Sequence, residues 1–462
     1  MKASPFEKAI TGFSTPKTEQ EARKIVISLN NKPGLLPALF LGVLLACLSP
    51  LTGPRADDWP HWLGPKRDGA SAEKGWLKKW PAAGPPRLWE QDIGSGYSSI
   101  IISGGRLILF HRIEDTLHID SLDASTGKRQ WRFSYPTDYE DLYGYDSGPR
   151  CAPAVYQGSV YTLGPKGVLH CLDLGTGKKR WAVDIRTRYS IGPNFFGTGA
   201  TPLVTDGKVF CNLGGIQFLT GDRKPDGMAF AFDAKTGKEL WKTVSDGGSY
   251  ASPSLAEIDG ARQLFIFHRG GLSCYDPATG KERWKFPWHA RFRDSVNGAT
   301  PLVVGDKVFF SATYGAGSVC LQVKKDSYKT LWKDDLTKRG RILDIHWTPP
   351  NYLDGHLYAF SGRNPPDAMF KCVELATGKV KWEWRSYLYR GSMIYSDGHF
   401  IAMGEFGDLA LLELSPEGHK ELSRLPRVLS SPAWTVPTLS GGLLYLRDTK
   451  KLICMDLRVK KK

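Results

Sequence analysis

The chain has 462 residues, with 50 Gly, 30 Pro and 15 Trp, a hydrophobic fraction of 41% and a charged fraction of 24%. That apolar content excludes a disordered chain, which cannot bury enough surface to fold, and the glycines follow no three-residue period, which excludes a collagen-like rod. Of the formal net charge of +15, residues 1–56 contribute +4 (seven basic, three acidic) and the tail Arg458, Lys460, Lys461 and Lys462 another +4. The body is left near +7, the charge of a solvated surface rather than a nucleic-acid footprint.

The first notable segment is Leu35 to Leu51, 17 residues without a charge, preceded by Lys32 and interrupted by Pro37 and Pro50. A membrane span needs roughly 20 apolar residues. The run better matches the core of a secretory signal. Residues 1–56 are therefore read as a leader, serving as a cleaved signal or as a membrane anchor. Cleavage after Ala56 would release a chain beginning at Asp57, and Leu44-Leu45-Ala46-Cys47 offers lipid attachment at Cys47 instead. Either route exports the protein to the periplasm or cell envelope. Residues 57–86 follow as a lead segment. Its Trp59, Trp62, Trp76 and Trp80 are expected to cover apolar surface across the remainder of the molecule.

From residue 87 onward the chain repeats itself, which decides its architecture. SLDASTGKRQW, CLDLGTGKKRW, AFDAKTGKELW, CYDPATGKERW and CVELATGKVKW end at Trp131, Trp181, Trp241, Trp284 and Trp382, each with Gly four residues before Trp. Degenerate copies run from Asp326 to Trp332 and through LELSPEGHKEL, where Leu422 takes the Trp place. In each unit an acid caps a turn in which Gly adopts positive φ, and the Trp packs between neighbouring sheets. A second hairpin per unit is visible in TPLVTDGKVFCNL (201–213), TPLVVGDKVFFSA (300–312) and PNYLDGHLYAFSG (350–362). Here apolar and polar residues alternate around a tight turn. A period near 50 residues suits the four-stranded blades of a propeller. LICMDL ends the series at Asp456 without a Trp, whereas Leu88-Trp89-Glu90 is a Trp strand without a turn. Each supplies what the other lacks. The prediction is an all-β, eight-bladed β-propeller of four-stranded antiparallel blades spanning 87–462, closed by the N-terminal strand. Seven blades are the alternative if the copy near Asp326 is an insertion.

The Asp-x-x-Thr-Gly-Lys-x-x-Trp unit resembles the pyrroloquinoline-quinone (PQQ) repeat shared by quinoprotein alcohol dehydrogenases and the BamB-like outer-membrane assembly factors. The opening DWPHWLGPKRDGAS resembles an exported PQQ-like propeller group common in planctomycete-type bacteria. The dehydrogenase resemblance implies PQQ, a bound Ca²⁺, a catalytic Asp and two adjacent cysteines. This chain has no Cys-Cys pair and no Cys-x-x-Cys-His for covalent haem. Cys171, Cys274, Cys372 and Cys454 instead sit two residues before the turn acid, at a small buried slot, and no disulfides between repeats are expected. No metal-type His spacing or Ca²⁺ loop is present, so no cofactor is assigned. PQQ with Ca²⁺ is kept as the alternative.

The informative residues are those that the repeat does not require. Loops entering the innermost strands crowd the central channel, and among them Arg150, Asp294, Asn297, His346, Trp347, Arg390 and Trp434 form the candidate site. Arginines suit an anion and tryptophans suit stacking. The competing reading is that these side chains bond neighbouring loops and plug the channel. The inserted stretch Gly214–Gly227 adds about ten residues to one blade. Three functions are compatible: a non-catalytic envelope scaffold binding a protein or polymer, as the BamB resemblance implies; a PQQ-dependent oxidoreductase; and a glycan-binding accessory. The scaffold, as a monomer, is the leading reading.

Overall fold

The computed structural model describes residues 58–215, 227–290, 297–338, 340–365 and 367–459. These belong to one compact unit, Gly53–Lys462. The leader with Cys47 and Ala56, most of the Gly214–Gly227 insertion, Asp294 and the three terminal lysines lie outside the described residues.

Eight antiparallel sheets make an eight-bladed propeller. Blade one comprises Ile101–Ser103, Arg106–Ile113, Thr116–Asp123 and Arg129–Pro136, innermost strand first, and blades two to seven repeat this order. Blade eight takes Thr438–Ser440, Leu443–Arg447 and Lys451–Asp456 from the C-terminal end and Arg87–Asp92 as its outer strand. The N-terminal strand thus seals the ring, as expected, and protects sheet edges that would otherwise pair elsewhere. The copy near Asp326 forms a full blade of its own, Leu302–Val304 through Tyr328–Lys333, which rules out seven blades. Among the described residues there is one helix, Ile185–Tyr189, capped by Asp184.

The repeat motif is explained by contacts between blades. The turn Asp accepts hydrogen bonds from the backbone of the turn, as Asp233 Oδ1 does from Lys235 and Thr236 and Asp173 Oδ1 from Thr176. Each repeat Gly has φ of +70° to +73° and lies under the Trp of the preceding blade. A Cβ on Gly177, Gly237 or Gly280 would stand 2.5 to 2.6 Å from Trp131, Trp181 or Trp241. The indole Nε1 then donates to a carbonyl of that same neighbouring turn, as Trp131 does to Leu174 (3.0 Å) and Trp332 to Leu375 (2.7 Å). Within each blade the residue directly opposite the Trp is small: Cys171 faces Trp181, Cys274 faces Trp284, and Cys454 faces Trp89. All seven described cysteines are buried free thiols.

Blade seven departs from the expected register. Its turn is tight, with Ser415 opposite Gly418, and Leu422 falls in the bulge while Ser423 takes the position facing Leu411. Leu422 is therefore not the Trp equivalent. The lead segment fills this gap: Trp80 is buried in the same apolar cluster as Leu411 and Leu425, and its backbone N–H donates to Ser423 Oγ.

That lead segment is a strap across one end of the channel. The Asp58 carboxylate accepts from Gly104 in the first turn of blade one, and Glu73 accepts from Gly441 and Gly442 in the first turn of blade eight. Between them Val155 of blade two bonds Pro60, Arg67 donates to Val204 of blade three, and Ala70–Ser71 adds a parallel strand to blade seven. The strap's Trp59 and Trp76 are buried.

Candidate functional site

Blade-to-blade links meet at the opposite end of the channel. Hydroxyls fix their spacing: Ala152 N–H donates to Thr201, Thr201 N–H to Ser252, and Ser252 N–H to Thr300, each pair linking adjacent blades. The links leave a cavity of about 350 Å³, with Trp62 of the strap as its floor. Arg150, His346, Trp347, Arg390 and Trp434 all line it. Asn297 does not. It is buried, with Nδ2 donating to His268 O (2.7 Å) and its carbonyl accepting from Tyr250 and Ala251, so it fastens loops together. Asp294 lies outside the described residues.

Two arginines are held rigidly. Arg150 Nη2 donates to Asp141 (2.6 Å) and Nε to Phe196 O (3.0 Å), and the guanidinium lies over the rings of Tyr97 and Phe196. Arg390 makes a two-point pair with buried Glu405, reaches Arg363 O, and lies 5.1 and 5.5 Å from the ring centroids of Trp347 and Trp434. Glu405 also accepts from Trp434 Nε1 (3.1 Å), so one carboxylate positions two pocket side chains. Such paired, stacked guanidinium groups suit planar anion recognition.

Several lining residues were not singled out from sequence. Tyr145 bridges Phe196 and Trp434, and Trp434 continues to Trp347 and His346, giving an aromatic belt with centroid separations of 4.4 to 6.0 Å. Tyr97 and Tyr145 sit in the loops that enter the innermost strands of blades one and two. Arg363 comes from a hairpin loop within blade six, lies 4.2 Å over Tyr314, and pairs with no carboxylate among the described residues. Trp62 also differs from expectation, since it lines the pocket rather than only covering apolar surface. Burial, followed by the Arg390 and Arg363 charges, pulls the His346 pKa down to about 3, so the ring stays neutral; its Nδ1 and the nearby Thr348 hydroxyl are buried without partners.

Calcium takes six to eight oxygen ligands, carboxylates foremost. Among the described residues no carboxylate lines the pocket, Asp141 and Glu405 are engaged by arginines, and no group of three or more His, Cys, Asp or Glu is placed to hold a metal. The described residues therefore do not fit a Ca²⁺-bound quinone.

Fold and repeat define a propeller of the PQQ-repeat class. The family model for the outer membrane protein assembly factor BamB matches residues 115–384, and the chain belongs to this family. It is 21% identical over 360 residues to the outer membrane protein assembly factor BamB of Yersinia pestis, covering 74% of this chain and 82% of that protein. It is 34% identical over 139 residues to a quinohemoprotein alcohol dehydrogenase of Pseudomonas putida, but this match spans 29% of the chain and only 18% of the dehydrogenase. Among solved structures, the quinohemoprotein alcohol dehydrogenase of Comamonas testosteroni shares the fold with a TM-score of 0.65 at 14% identity, covering 90% of this chain and 83% of that one.

Proposed function

We propose that the protein is an exported, non-catalytic propeller that acts as a binding or assembly scaffold in the cell envelope, with the pocket end as its binding face. One observation carries this reading. No carboxylate lines the pocket among the described residues, and Asp141 and Glu405 are held by Arg150 and Arg390, leaving preorganised guanidinium groups and aromatic rings facing the cavity. Such a surface binds, but among the described residues it offers no thiolate, free carboxylate or poised imidazole for chemistry. The match across most of BamB supports an assembly role and an envelope protein as partner.

A second reading, a PQQ-dependent oxidoreductase, is favoured by the dehydrogenase relatives. Incubation of the full chain with PQQ and Ca²⁺ separates the two. No saturable absorbance change and no alcohol-dependent dye reduction are expected, while cross-linking in envelope fractions should capture a protein partner that Glu405→Gln releases. Saturable PQQ binding with dye reduction would overturn the scaffold reading.

A further inference from the structure

Resting on that scaffold reading, we infer that the pocket end takes an acidic peptide segment carrying an aromatic residue, with the ring entering the cavity and the carboxylates meeting the arginines at its mouth. The exposed apolar surface at the mouth argues for a peptide over a small molecule. Leu142, Tyr143 and Tyr145 are 62%, 54% and 59% exposed on one loop, and Phe406, 42% exposed, stands edge-on to Tyr389 beside Arg390. Single exposed apolar residues are ordinary, but a cluster rimmed by polar groups marks a protein contact. A ligand confined to about 350 Å³ would leave much of this rim in water.

Charge fixes the sign of the partner. Arg363 is exposed without a carboxylate partner among the described residues, and no described acidic side chain lines the cavity. Inside the cavity a cationic segment would therefore find no carboxylate among the described lining residues, while an acidic one meets the guanidinium groups of Arg150, Arg363 and Arg390, a recurrent mode of motif recognition. The same geometry disfavours a glycan. Arg390 lies over the rings of Trp347 and Trp434, on which a sugar would stack.

The test uses the full chain and fluorescein-labelled dodecapeptides with a Gly/Ser frame, whose central five residues are four Glu around one Phe, four Glu around one Ser, or four Lys around one Phe. Anisotropy should show saturable binding of the Glu/Phe peptide, about tenfold weaker when Phe becomes Ser and weaker still with Lys. Tyr145→Ala should weaken it about tenfold. Arg363→Glu should do the same and improve binding of the Lys peptide, a reversal that misfolding would not produce. Equal binding of all three peptides, binding of none, or binding of benzene-1,3,5-tricarboxylate without the peptide would overturn the inference. If peptide binding fails while envelope-partner capture persists, the inference falls and the scaffold reading stands. Loss of both overturns both.

Discussion

Two glycines of blade two offer a matched experiment on the repeat. Gly158 and Gly177 share φ of +70°, but a Cβ on Gly158 meets nothing within 4 Å, whereas on Gly177 it would lie 2.5 Å from Trp131 Cε3. Gly158→Ala therefore costs only the left-handed backbone penalty, about 1 kcal/mol. Gly177→Ala adds overpacking of about 1–3 kcal/mol. Trp131 cannot retreat freely, because its Nε1 is tied to Leu174 O at 3.0 Å. The expected totals are about 1 kcal/mol against about 2–4 kcal/mol, read as urea midpoints at constant slope. In a Trp131→Ala background the ring is gone, so the excess cost of Gly177→Ala should vanish, a coupling that a double-mutant cycle isolates. If the two glycine variants lose the same stability to within about 0.5 kcal/mol, the packing explanation of the motif is wrong.

Three further outcomes are expected. Arg447 is fully buried where blade eight meets blade one and donates to the carbonyls of Ser98, Phe110, Gly96 and Asp448. Arg447→Met strands these acceptors and should destabilise by about 3 kcal/mol or more in urea melts; a neutral result would show that the seam does not depend on it. Burial lowers the pKa of His170 and His268 to about 4, so the unfolded chain takes up protons below about pH 6.5 before the native state does. Stability is full above that pH and falls by about 2 kcal/mol per histidine by pH 5. Below pH 4 a further loss follows from Asp120, which burial raises but bonds from Arg132 and His111 bring down to about 2. A flat midpoint between pH 7 and 5 would contradict this. Finally, Glu405→Gln removes the charge holding Arg390, at about 3 kcal/mol, and should raise acrylamide quenching of Trp347 and Trp434. Unchanged quenching would deny Glu405 its positioning role.

The blades were legible because each repeat is a self-contained hairpin whose Asp, Gly and Trp have local jobs. The closure was legible too, since Trp89 lacked a turn and Asp456 lacked a Trp, and they pair in one sheet. What failed was counting through blade seven. A two-residue turn replaces the longer capped one there, so a fixed offset from Gly418 lands on the bulged Leu422. Nor could spacing show that Trp80, more than 330 residues away in sequence, fills the neighbourhood of Ser423.

The pocket follows a different logic. In a four-stranded meander, the first and third turns lie at one end and the second turn and blade link at the other. The capped Gly turns therefore face the strap, while Arg150, Trp347, Arg390 and Trp434 come from links at the pocket end. Residues most visible as a motif are thus the farthest from the site. Selecting loop groups without a repeat role found five lining residues, but failed for Asn297, whose amide has a local bond to His268 that no spacing reveals. Arg363 and Phe406 were missed because they belong to second turns, which share the pocket end with the blade links. Because second turns and blade links share one end, an exposed arginine and an exposed ring from second turns join the link residues there.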